Sequence, residues 1–274
     1  MKIIHLATVG VAALLSSLSA QASVISTGTT TASLVVYQAP AGQNAIGGVS
    51  PFAQSGGGNL ISIEQTGSGN GFGSGREASF QSGSNNRAAV SQMGTGSSIV
   101  LQQTGSFNGV SGGLVSSIVQ STDHGMIRIV QSGTGNSFQV SQAGGDNVAT
   151  LTQSGAGNAA RIGQSGTELL AMLTQNGSNN TLQAQQTGIN NAMTATQAGS
   201  SQMMMINQSG NANQMAVTQT GNNQSASLTQ SGSHNVMIAS QAGAYNQVSV
   251  AQTSSNNVAS VSQSGRGNVA TIRQ

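Results

Sequence analysis

The sequence predicts an all-β solenoid, a stack of strand-turn-strand rungs of about 22 residues each, with amyloid-like cross-β pairing between rungs. Three observations predict it: a glutamine that returns every eleventh residue, a period-two alternation between the returns, and a composition almost free of charge. Charged residues are 4% and aromatic residues 3% of the 274, where an ordinary soluble domain carries about 25% charged residues. A globular domain would need charged surface to stay dispersed and aromatic bulk to fill its core. With no Cys in the chain, disulfide frameworks and cysteine metal sites are excluded. The pI of 9.7 rests on a net charge of only +2, which makes no basic patch for nucleic acid.

The repeat defines the first element. Glutamine stands at Gln120, Gln131, Gln142, Gln153, Gln164, Gln175, Gln186, Gln197, Gln208, Gln219, Gln230, Gln241, Gln252, Gln263 and Gln274, fifteen in all without a gap. Two residues after it comes glycine, at Gly133, Gly144, Gly155, Gly166, Gly177, Gly188, Gly199, Gly210, Gly221, Gly232, Gly243 and Gly265. Five residues after it comes asparagine, at Asn136, Asn147, Asn158, Asn180, Asn191, Asn213, Asn235, Asn246, Asn257 and Asn268, with Gln202 and Gln224 substituting twice. Upstream, Gln38, Gln54, Gln65, Gln81, Gln92 and Gln103 continue the pattern at spacings of 16, 11, 16, 11 and 11, and the step to Gln120 is 17. The extra residues fall in glycine-rich stretches, Gly69 to Gly75 and Gly105 to Gly113, which read as loops inserted at turns.

Within a unit the alternation is that of a strand. From Asn147 to Gln153, the residues Asn147, Ala149, Leu151 and Gln153 share one face and Val148, Thr150 and Thr152 the other. The four residues Ser154 to Gly157 read as a tight bend. Asn and Gln bracket two apolar positions, as they do again in Asn213/Met215/Val217/Gln219 and Asn257/Ala259/Val261/Gln263. An eleven-residue period also suits a helix, but glycine with Ser or Thr interrupts every unit and opposes it. Stacking paired units puts residue i over i+22, so the Gln side chains form two columns. Their amides donate and accept along each column, which satisfies groups otherwise costly to bury. Met193, Met204, Met215 and Met237 fall inward as core filler. Charge placement agrees, because an isolated inward charge would be very costly. Asp123, Asp146, Glu168 and Arg266 fall in turns, and Glu64, Arg87, Arg128, Arg161 and Arg273 fall on outward positions, with Arg76 and Glu77 beside the first inserted loop.

Residues 1–22 read as a secretory leader. Lys2 is its positive start, Leu6 to Leu18 its apolar run, and Ala20-Gln21-Ala22 a small-x-small signal for cleavage between Ala22 and Ser23. The run is short for a membrane span, so the chain is expected to be secreted. Residues 23–37 form an amino-terminal tail, 38–119 the irregular repeats and 120–274 the regular ones.

The unit Gln142-Ala-Gly144-Gly-Asp-Asn147-Val-Ala149-Thr-Leu-Thr-Gln153 resembles the repeat of curlins, the subunits of bacterial curli fibres, and the likeness recurs from about Gln38 to Gln274. The stretch from Gly166 to Asn180 resembles part of the minor, nucleating curlin. The greater number of repeats and the early glycine-rich loops depart from familiar curlins and leave major subunit versus nucleator open. The resemblance implies a functional amyloid outside the cell, serving biofilm matrix and surface adhesion. It also implies self-association, a second curlin subunit as partner, and export through an outer-membrane pore with accessory proteins. By the same resemblance 23–37 is an export-targeting tail, while the residues alone read equally as a disordered terminus. The last rung, ending Asn268-Val-Ala270-Thr-Ile272-Arg-Gln274, shows no capping helix, so it is expected to add another copy head to tail. Arg266 and Arg273 there read as solvated arginines or as brakes on self-addition.

Catalysis finds no machinery. No Cys nucleophile exists, and beyond the leader only His124 and His234 occur, both in turns. Gly73-Ser74-Gly75 is a loop without the helix a nucleophile elbow needs, and the five acids are scattered. Gly133-Thr-Gly135 is a turn and not a phosphate loop. No cofactor, metal or small-molecule substrate is expected. The rival reading is a monomeric secreted solenoid that binds a polysaccharide or an ice-like surface through a regular outward array. Thr150/Thr152 and Thr194/Thr196 begin such an array, but Arg161, Met203/Met205 and Gln183/Gln185 break it.

Overall fold

The computed structural model describes residues 52–73, 77–109 and 115–274 with their side chains, and before residue 52 only the backbone of short strands. The leader and its cleavage junction at Ala22 and Ser23, the tail to residue 37, and Arg76 therefore lie outside the residues described in full. The chain divides into two compact units, Met1–Asp146 and Asn147–Gln274. Each is built on a parallel β-solenoid, the pair Lys2–Leu6 with Val11–Leu15 in the first unit being antiparallel, and no helix occurs among the described residues.

In the second unit one sheet stacks Val148–Ala156, Leu170–Ser178, Ala192–Ser200, Gln214–Asn222, Val236–Ala244 and Val258–Arg266. The facing sheet stacks Ala159–Thr167, Thr181–Ile189, Met203–Asn211, Ser225–Gln230, Gln247–Gln252 and Val269–Arg273. Every pairing is parallel with a register of 22, as in Gln153↔Gln175 and Gln164↔Gln186. Between the sheets lies a thin core of Ala, Leu, Ile, Val and Met, including Met193, Met204, Met215 and Met237, all buried.

The first unit keeps the same register through its insertions. Gln81 and Gln103 pair across 22 residues, Gln65 and Gln92 across 27, and Gln92 and Gln120 across 28. The extra residues leave the ladder unshifted, as expected if they loop out at turns; positions 74–76 and 110–114 of those insertions lie outside the described residues. The core is bulkier here, with Phe138 buried and the rings of Phe52 and Phe72 5.7 Å apart. No charged side chain among the described residues is buried. Glu77 is exposed and accepts a bond from Arg128 Nε at 2.6 Å.

The strands are longer than the alternation alone predicts. Val148–Ala156 spans nine residues, so Ser154, Gly155 and Ala156 continue the ladder and do not form the expected four-residue bend. The chain reverses at the residue before each asparagine, which takes a left-handed conformation: Asn179, Asn190, Ala212 and Tyr245 have φ of 55°, 56°, 52° and 58°. The repeat glycines, Gly232 apart, sit inside the strands, and all have φ between 96° and 148°.

A close approach adds to the demand for glycine there. A Cβ placed on Gly221 would lie 1.9 Å from the carbonyl oxygen of Gly243 in the next rung. Gly267, also at positive φ (71°), has nothing within 4 Å of that position. Gly267→Ala is therefore expected to cost about 1 kcal/mol, from backbone strain alone. Gly221→Ala should cost about 3 kcal/mol or more, since the rungs must part. Denaturant midpoints followed by circular dichroism compare the two, and equal losses would remove the close approach as the cause.

Candidate assembly interface

The glutamines do two jobs with one amide. In the second unit Gln186 Nε2 donates to the carbonyl of Leu170 at 3.0 Å, which ties the two arms of one rung together, and to Gln208 Oε1 at 2.8 Å in the next rung. Gln175 does the same toward Ala159 and Gln197, at 3.1 and 2.9 Å. Because a backbone carbonyl accepts only, the amide nitrogen is held on that side and the amide cannot be turned over. The ladders run Gln164-Gln186-Gln208-Gln230-Gln252-Gln274 in one sheet and Gln153-Gln175-Gln197-Gln219-Gln241-Gln263 in the other. In the first unit they run Gln54-Gln81-Gln103-Gln131 and Gln65-Gln92-Gln120-Gln142. Each of these bonds points the same way, Nε2 toward the higher residue number.

The asparagines join rungs at the turns. Asn191 Nδ2 donates to Thr187 O and to Gly210 O of the next rung, both at 2.8 Å, while its Oδ1 accepts the backbone N–H of Asn213 at 2.9 Å. Asn213 repeats this with Ser209, Gly232 and Asn235. Glycine and asparagine are thus one device. The carbonyl that would strike a Cβ on Gly188 is that of Gly210, which accepts the Asn191 amide. Where Ser254 replaces glycine, the pairing of Ser225–Gln230 with Gln247–Gln252 stops at the glutamines, as does its pairing with Met203–Asn211 on the other side, whereas Gln214–Asn222 and Val236–Ala244 in the facing sheet pair three residues further.

The structure brings together every ladder residue of each unit, and it places His124 and His234 apart, each in a turn with φ of 55° and 58°. Sequence reasoning missed the left-handed position before each asparagine. Its signal was the recurrence there of Gly, Asn, Asp and His, residues that tolerate positive φ.

Two edges of a rung differ chemically. The edge at Val258–Arg266 and Val269–Arg273 carries no further strand among the described residues, and Val258 and Val269 are 66% and 70% exposed. It offers Gln Nε2 donors and Asn Oδ1 acceptors; the opposite edge of any rung offers Gln Oε1 acceptors and backbone N–H donors. Like edges would set donor against donor, so only head-to-tail stacking satisfies the amides.

Residues 144–177 and 203–232 match the curlin associated repeat. No curated protein matches the chain.

Gln202 and Gln224 are defects in the asparagine column. Gln202 Nε2 makes the usual bonds, to Ala198 O at 3.1 Å and Gly221 O at 2.8 Å. The extra methylene carries its carbonyl past the next rung, and Oε1 of both residues is buried without a partner. Gln202→Asn and Gln224→Asn should each stabilise the solenoid by about 1 kcal/mol, the net worth of a restored hydrogen bond. A double variant with an unchanged or lowered denaturant midpoint would show that the overshoot carries no cost.

Proposed function

We propose that this chain, which carries the curlin associated repeat, is a structural subunit of an extracellular curli-type amyloid fibre and that it grows by adding one rung edge to the next. The observation that carries the reading is the uniform direction of the glutamine bonds. Each rung receives from the one before it and donates to the one after, so an edge is a template for any matching rung, of the same chain or of another copy. Curlins are structural amyloid subunits and not an enzyme family, and the ladder residues offer amides where catalysis would need a nucleophile, an acid and a base.

The family supports the finer reading: secretion through an outer-membrane pore, the expected leader at 1–22 with its junction at Ala22/Ser23, a tail at 23–37 that targets export, and a second curlin as partner in biofilm matrix. The uncovered edge at residues 258–273 is the growing end in this reading, and its donors meet the acceptors of an incoming rung. The solvated positions of Arg266 and Arg273 keep their charges out of that contact, and Arg266 rests 5.0 Å from the centre of the Tyr245 ring.

The test follows thioflavin fluorescence of the purified chain from a denaturant-free start, with and without fragments of its own fibres, and images the end point. The expected result is a lag that the fragments abolish, with fibres visible. A brief unseeded lag together with acceleration of a second curlin would assign the nucleating role. A flat trace from a folded, β-rich monomer would overturn the reading.

A further inference from the structure

The two outward faces of the second unit differ in chemistry, and the difference appears only when alternate repeats are read separately. On the sheet that contains Ala192–Ser200, the position before each glutamine is Thr152, Thr174, Thr196, Thr218, Ser240 and Ser262, an unbroken column of hydroxyls in direct register. At the eleven-residue period the outward array looks broken, because successive repeats belong to opposite sheets. Arg161, Gln183, Gln185, Met203 and Met205 all belong to the other sheet. The hydroxyl face carries no ionisable side chain in any of its three outward columns. Beside the hydroxyls the middle column runs Thr150, Met172, Thr194, Ala216, Ile238 and Ser260. Met172 and Ile238 stand proud, 48% and 50% exposed. The small side chains of Thr194 and Ala216 between them floor a shallow groove.

We propose that this face pairs with the same face of a second copy in a neighbouring fibre, packing the fibres side by side. The inference rests on the fibre reading above and adds which face does the lateral work. Three arguments select a second copy as the occupant. The first is charge: two such faces meet without burying an ion, whereas the opposite faces would bring Arg161 and Arg273 toward their own kind. The second is shape. A two-fold axis along the strand Ala192–Ser200, lying between the faces, sets hydroxyl column on hydroxyl column and puts Met172 over the partner copy's small Ala216 position. Thr196 then meets its own equivalent, so the hydroxyls bond across the contact instead of being stranded.

The third argument is area. Six strands about 4.8 Å apart and five residues at about 3.3 Å each make a face of roughly 500 Å² per copy, near 1,000 Å² for a pair. That is at the lower limit of a specific interface. Single copies are therefore expected to remain apart, while fibres repeat the contact once per subunit and gain by multivalency.

The experiment compares fibres of the chain with those of Ala216→Glu, Thr196→Glu and, on the opposite sheet, Ser227→Glu. All three positions are outward and accommodate a solvated carboxylate. Fibre formation is read by thioflavin fluorescence, and lateral pairing by negative-stain width and low-speed sedimentation. Wild-type and Ser227→Glu fibres should pair; the other two should form fibres at the same rate with the paired fraction reduced about tenfold or more, since the pairing would bury unpaired carboxylates. Wild-type fibres that stay single, or pairing that survives both face variants, would overturn the proposal. Pairing that requires added polysaccharide would also overturn it and assign the face to carbohydrate. Absence of fibres from the wild-type chain would instead remove the assembly reading, and this contact with it.

Discussion

The structure depends on a buried side-chain amide that meets its own copy one rung away. Burying an unpaired amide is costly, and the glutamines of the two ladders are placed so that the next rung accepts their Nε2, with the Oε1 atoms of Gln202 and Gln224 in the asparagine column left as exceptions. Gln186 illustrates the constraint, bonded at once to Leu170 across its rung and to Gln208 in the next. No rung is satisfied alone. The strands, the thin aliphatic core and the short reversals all follow from keeping those amides in line every 4.8 Å or so. Apolar burial contributes, but the inward aliphatic positions vary freely between Ala, Leu, Val, Ile and Met while the glutamine does not change in the regular repeats.

The glycine has the same origin. A carbonyl that turns inward to accept the asparagine of the preceding rung occupies the space of that rung's glycine Cβ. Ser254 shows the converse, since the ladder ends early beside it. Elsewhere a departure is absorbed by another. Thr122 stands where glycine is usual and turns its hydroxyl inward to Ser97, and Gly125, where asparagine is usual, leaves the room that hydroxyl needs.

Much of this was legible in the sequence because the chemistry repeats. The eleven-residue return of Gln153, Gln164 and Gln175 fixes both period and face, and the inward placing of Ala149 and Leu151 follows from alternation alone. The length of the strands was not legible. Ser154 and Gly155 have turn chemistry by any local rule, and only the neighbouring rung makes them strand, a case of tertiary context overriding propensity. The hydroxyl column from Thr152 to Ser262 was hidden for a different reason: its period is 22, and an eleven-residue reading superimposes it on a sheet of unlike chemistry.

Repetition also raises a problem of register that the departures from the consensus answer. Rungs that matched perfectly could slip by 22 residues and lose almost nothing, since each Gln would find another Gln. In the first unit the offsets of 22, 27 and 28 residues make a slipped chain the wrong length for its own turns. The irregular positions thus lower the stability of individual rungs while separating the native register from its near copies. Between copies of the proposed fibre no such loop would connect the strands, and the same amide bonds would act with only these irregularities to set their alignment. If the proposed fibre forms, folding and growth are one reaction, carried out first within a chain and afterwards at its edge.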